Sequence, residues 1–345
     1  MVRGRERFLR RHLENIMSAI TKSRIERITA VLAVFCFAIG ASAFAQQWPA
    51  KPLRIIVPFP AGQTADIVTR LFTEPLSTAL GRQVVVENRP GSGTLIGTEM
   101  AAKAAPDGYT ILAGGSSALA INPHLYKNLG YDTLRDFVPI MAIHNTIFAF
   151  CVNPALPVKN ISELVALAKR RPEEVMYGSS GPGTPQHLAM ALLAAAANVK
   201  LTHVPYKGAI ASLTDLMAGQ ISVTAEGIPT VMPQVKTGRL RPIGVSSAER
   251  TPFLPQIATL QEQGIKGYEV LGWTFFVAPA GTPEPILERL STEAVRIVGS
   301  PEVRKRLSEL GLGALGYSRE RSAAFLKSEL TNWGEAVRIS GARVE

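Results

Sequence analysis

Cysteine is almost missing from these 345 residues: only Cys36 and Cys151 occur. A disulfide framework is therefore excluded as the source of stability, and so is a thiolate metal cluster. Histidine is scarce too, with five residues, and His124, His144, His187 and His203 show no metal-ligand spacing. Charged residues make up 19% of the chain and form no long runs. There is no low-complexity tract and no internal repeat at a fixed period, so neither a disordered tail nor a solenoid is expected beyond the N-terminus. Basic helices and basic–aromatic interleaving are absent, which removes the usual footprint of a nucleic-acid binder.

One apolar run stands out, "ITAVLAVFCFAIGASAFA" at 28–45. It follows eight Lys/Arg residues and ends in Ala43-Phe44-Ala45, a small-residue exit. Residues 1–45 read as a cleaved signal peptide that exports the rest to the periplasm. The alternative, a single membrane anchor, fits less well because the run is short and its end is rich in Gly, Ala and Ser. The basic head is long enough for translation to begin at Met17 instead of Met1. Removing 1–45 takes away eight basic and three acidic residues, so the formal +10 falls to about +5.

The remaining chain alternates. Apolar, β-branched runs predict strands at 53–59, 83–88, 110–115, 148–153, 175–179, 201–206, 221–226, 241–247 and 270–278. Helix-period segments lie between most of them, and three more helices close the chain. Pro75 is expected to kink or end the helix at 65–80 early. The pattern implies an α/β protein with parallel sheets covered by helices. So many strands suggest two α/β domains, with a ligand crevice outside the carboxyl ends of the strands.

The loops that follow strands are thus where function is expected. "PFPAGQTAD" (58–66) brings Phe59, Ala61 and Gln63, with Thr64 as the expected N-cap and Asp66 in the first helical turn. "GGSSALAINP" (114–123) supplies Ser116 and Ser117. "YGSSGPGTPQH" (177–187) supplies Ser179, Gly183, Thr184 and His187, with Thr184 as N-cap and Pro185 at the first helical position. Gly208 in "HVPYKG" and Glu226 in "AEGIPTVMP" end later strands. "RPGSGTLIG" (89–97) misses the dinucleotide fingerprint by one position and reads as a tight turn. Loops 58–66 and 177–187 contain no Lys or Arg, so an anion held there meets only neutral N–H and O–H donors. That suits a carboxylate in a closed cleft and not phosphoryl transfer.

These stretches carry a family resemblance. "KPLRIIVPFPAGQTADIVTR", "VVVENRPGSG", "AAPDGYTIL", "INPHLYKNLGYDTLRDFVPI", "YGSSGPGTPQHLA", "HVPYKG", "APAGTP" and "SPEVRKRLSELG" resemble, in order, the Bug-type (TctC-like) periplasmic substrate-binding proteins of tripartite tricarboxylate transporters. The resemblance covers about 48–340. It implies a type II periplasmic-binding-protein fold: two α/β domains, a ligand cleft between them and two crossover strands, near 148–152 and 270–275. Domain 1 would then comprise 46–148 and 272–345, and domain 2 residues 149–271.

The resemblance also implies a small organic acid as ligand, a membrane permease as partner, no cofactor, no metal, no catalysis and a monomer. Departures fall in the contact loops. Ala61 and Gln63 stand where the family commonly has a second Pro and a second Gly. Ala209 stands for a common Ser, and Glu226-Gly227 for a common Asp-Asn pair.

Two other functions compete. An exported serine hydrolase would use Ser179 or Ser180 with His187, but no G-x-S-x-G elbow positions either serine. A ligand-sensing protein is the other, most plainly a periplasmic receptor for a sensor kinase. A transcription-factor effector would need a helix-turn-helix where the signal peptide stands.

Overall fold

A computed structural model describes residues 48–343. The expectations for the signal peptide, its cleavage at Ala45 and the choice between Met1 and Met17 lie outside the described residues. From Lys51 onward the chain forms one unit built on ten hydrogen-bonded strands. Three short strands, β1 (Leu53–Val57), β2 (Val84–Asn88) and β3 (Thr110–Gly115), pair in parallel with β1 in the middle. A second parallel trio is β5 (Met176–Ser179), β6 (Thr202–Pro205) and β7 (Val223–Gly227), with β5 in the middle.

One long strand joins the trios. β4 (Phe137–Val152) pairs antiparallel with β9 (Leu271–Pro279) over 137–147, and with β7 and β8 (Arg241–Val245) over 148–152. β9 in turn pairs antiparallel with β3. The chain therefore leaves the first half of the sheet at 147/148. It returns beside Val270, whose amide bonds Ser246 O before Leu271 pairs with Ile147. A short β10 (Leu312–Ala314), not foreseen in the sequence, edges β4.

Helices of two turns or more fill the gaps: α1 (Thr64–Leu80), α2 (Leu95–Ala102), α3 (Ile161–Arg170), α4 (Pro185–Ala197), α5 (Ala209–Met217) and α6 (Ile228–Lys236). Three more close the chain: α7 (Glu284–Gly299), α8 (Pro301–Glu309) and α9 (Arg319–Ser340). One apolar cluster runs through both halves, from Ile56 and Leu112 to Leu188 and Val223, and a smaller one belongs to the second half. Ile55, Ile56 and Val57 of β1 are buried, and Phe72 of α1 meets Phe276 of β9 edge-on at 5.2 Å. In the second half, Cys151 lies buried with Leu216, Val231 and Val245.

Three expectations need correction. The sheet is mixed, because β4, β8, β9 and β10 run antiparallel to their neighbours. β4 begins at Phe137, eleven residues before the expected 148. Pro139 disguised it, and that proline sits at a register shift, where a missing N–H is tolerated. Pro75 does not stop α1, which runs on to Leu80. A helix-interior proline costs about 3 kcal/mol. Beyond it Leu76 and Leu80 are both buried, and each such side chain contributes roughly 1.5–3 kcal/mol.

Candidate functional site

Four helix N-termini converge on one cavity where the two halves of the sheet meet. Its wall includes Thr64 and Ala65 of α1, Pro185 and Gln186 of α4, Ala209 of α5, and Gly227 and Thr230 at the start of α6. The unpaired first-turn amides of a helix and its macrodipole both favour an anion. Among the described residues, no Lys or Arg lines this cavity. The space is about 60 Å³, against the roughly 10–15 Å³ that one enclosed water needs. A compact molecule of several non-hydrogen atoms fits.

The walls touch. Thr64 Oγ1 lies 3.5 Å from Thr230 Oγ1. Gly208 has φ +115°, and a Cβ there would stand 3.0 Å from Gln63 Nε2. A side chain at 208 would strain the backbone and crowd the Gln63 amide. The cleft is thus closed.

Of the residues expected at the site, Phe59, Gln63, Thr64, Ser116, Ser117 and Glu226 line the cavity. Thr64 does so as the first residue of α1, and Gln63 takes the cap position expected for it. Ser116 Oγ accepts the Trp273 amide at 3.2 Å, which leaves its O–H to donate. Ser117 Oγ is buried and has no protein hydrogen-bond partner. A buried hydroxyl of that kind is costly until something fills its bonding capacity.

Ala61, Asp66, Ser179, Gly183, Thr184, His187 and Gly208 are not among the lining residues. Asp66 is structural: its carboxylate accepts from the Gly62 amide, Asn88 Nδ2 and Arg70. Burial pushes its pKa up, but Arg70, the Gly62 amide and Asn88 outweigh that and hold it below the usual range. Thr184 caps α4, accepting the His187 amide and donating to Gly181 O at 2.7 Å. The Gly183 amide donates to His187 Nδ1 at 3.2 Å, so it is engaged within its own loop.

The serine–histidine pairing is not the expected one. Ser179 Oγ lies 2.7 Å from His203 Nε2. His187 stacks on His203 at 4.0 Å, and Tyr177 stacks on His203 from 4.9 Å. Burial lowers the pKa of His187 to about 4. Burial and the neighbouring His187 lower that of His203 to about 3. This column is neutral packing with a satisfied hydroxyl, and Ser179 is fully buried.

Ser180 instead donates to Glu226 Oε1 at 3.0 Å, and Gln186 Nε2 donates to Glu226 Oε2 at 3.0 Å. Burial pushes the Glu226 carboxyl up to about 7 against the pull of those bonds. Sequence reasoning missed Gln186, Thr230, Thr146, Phe148, Trp273 and Thr274, all on the wall. Gln186 and Thr230 were findable, since each stands within three residues of a helix start. The rest come from β4 and β9, whose adjacency only strand pairing reveals. Among the described residues, no group of three His, Cys, Asp or Glu could hold a metal ion, and no helix is long and apolar enough to cross a membrane.

Comparisons with known proteins agree with this architecture. The family model of the tripartite tricarboxylate transporter family receptor, TctC, matches residues 68–341. A protein encoded in the tcbD–tcbE intergenic region of Pseudomonas sp. (strain P51) is 38% identical over 292 residues, covering 84% of this chain and 86% of its own. The R. palustris protein Rpa4515, solved with adipate, has a TM-score of 0.83 and 33% identity over 86% of this chain and all of its own. The periplasmic binding protein BugD has a TM-score of 0.81 and 32% identity with the same coverage. The fold is that of the two-domain periplasmic binding proteins.

Proposed function

Because this chain belongs to the tripartite tricarboxylate transporter receptor family, we propose that it is a periplasmic receptor that closes on a small organic acid and delivers it to a membrane permease of the tripartite type. The carrying observation is the cavity itself: four helix N-termini and several hydroxyls, with no cation among the described residues of the wall. Such a wall binds a carboxylate through neutral donors in a low-dielectric space, where those bonds are strong. It performs no chemistry. The lobes that close are residues 46–148 with 272–345, and residues 149–271, turning about the two crossings near 147 and 270. Ser116, Ser117, Thr64 and Gln63 meet the ligand from the first lobe, and Gln186 and Thr230 from the second. Residues 1–45 serve as the export signal.

The test is a panel of C3–C8 mono- and dicarboxylates and amino acids against residues 46–345, read by thermal shift and calorimetry. A ligand that binds only the native state raises the melting temperature. Binding of at least one acid is expected. A flat panel, together with ester hydrolysis abolished by Ser179→Ala or Ser180→Ala, would overturn the receptor reading in favour of the hydrolase.

A further inference from the structure

The geometry points to an amine-bearing carboxylate, a small amino carboxylic acid, as the ligand: Glu226 takes its ammonium, and the hydroxyls and helix-start amides of the opposite wall take its carboxylate. This rests on the receptor reading and narrows it.

Among the described residues, Glu226 is the only titratable side chain on the cavity wall, and it is 1% exposed. Its oxygens accept from three neutral donors, Ser180 Oγ, Gln186 Nε2 and the Gly227 amide. A carboxylate has about four acceptor positions, so capacity remains on the cavity side. Among the described residues, no cation on the wall compensates the charge. The Cys151 thiol on β4 is pushed up by burial and by Glu226. A buried carboxylate without a counter-charge is unfavourable, and burial accordingly raises its pKa. A ligand ammonium removes that penalty on binding. A second carboxylate placed there would instead meet a like charge in a low-dielectric space.

The opposite wall has the opposite character. Ser117 Oγ is buried without a partner, Ser116 retains its O–H, and Thr64 and Ala65 open α1. These groups stand on the β1–β3 side, while Glu226, next to last in β7, stands on the other. The site is therefore bipolar across the cleft, and closure brings both poles onto one small molecule.

The experiment is calorimetry at pH 8 on residues 46–345 with a five-carbon set: pentanoate, glutarate, 2-aminopentanoate and 5-aminopentanoate. The two amino acids bracket the spacing between the poles. At least one of them is expected to bind tenfold or more tightly than both non-amino acids. In Glu226→Gln that preference collapses, and glutarate binds more tightly than in the wild type because the like charge is gone. The wild-type ranking decides the matter alone if the variant does not fold. Glutarate or pentanoate winning in the wild type overturns the inference while leaving an acid receptor intact, as does a preference that survives Glu226→Gln. Failure of every acid in this set and in the wider panel overturns the receptor reading itself.

Discussion

Loops 58–66 and 177–187 look alike in composition, each holding Gly, Pro and Thr before a helix and neither holding Lys or Arg, yet they use their polar groups in opposite ways. The first turns Phe59, Gln63 and Thr64 to the cavity and keeps only Asp66 for internal bonding. The second turns Ser179, Gly183, Thr184 and His187 onto one another and His203, and presents Pro185 and Gln186 to the cavity. Similar composition thus conceals a contact loop in one place and a self-satisfied brace in the other. The difference lies in the partner. His203 on β6 faces the second loop and draws the Ser179 hydroxyl inward, whereas the neighbour of the first loop, Asn88 on β2, engages Asp66 and the Phe59 carbonyl and leaves Gln63 and Thr64 to the cavity.

Acid should break this comparison most strongly. His187, His203 and His144 are held by burial at about 4, 3 and 4. Their folded pKa values lie below the unfolded value of about 6.5. Between those limits the unfolded state binds more protons, so the stability from keeping them neutral is complete above about pH 6.5 and is lost as pH falls toward 4. Glu226 has the opposite sign. Its folded pKa of about 7 exceeds the model 4.5, so this one group favours folding as pH falls from 7 to 4.5. Three histidines outweigh one glutamate. The melting temperature followed by circular dichroism should drop by ten degrees or more between pH 7 and pH 4. Amide exchange should rise first around 177–187 and 203, and least around 58–66.

Ser179→Ala comes next. It strips His203 Nε2 of its partner in a buried site, at a cost of about 1–3 kcal/mol. Chemical denaturation should show that loss, while ligand affinity stays within about threefold. A large loss of affinity with normal stability would move Ser179 into the site. Ser117→Ala should give the mirror result. Affinity falls about tenfold in calorimetry, near 1.4 kcal/mol. The unliganded protein melts no lower than the wild type, because an unsatisfied hydroxyl has been removed. Smallest is Thr184→Val, which loses the cap of α4 at about 1 kcal/mol and leaves affinity unchanged by the same assay.

Strand–helix alternation was legible because most elements follow a single period with clear ends. β4 was not, since it is buried on both faces over most of its length and so lacks alternation, and Pro139 reads as a breaker. At the site, Thr184 as cap and Pro185 at the helix start follow from local chemistry and appear as expected. His187 against Gln186 was not decidable along the chain. They are adjacent on a helix and point about 100° apart, so only the position of α4 says which faces the cavity.

Sequence alone determined the α/β elements, the absence of cations from both loops and the family. Those depend on local propensity and on residue identity, which need no knowledge of distant neighbours. Tertiary structure alone decided that four helix starts share one cavity, that His203 claims Ser179, and that Glu226 stands buried without a counter-charge opposite an unpartnered Ser117. Each is a pairing between residues far apart in the chain. Burial and hydrogen-bond satisfaction belong to the packed environment, and it is there that a serine becomes a brace or a contact.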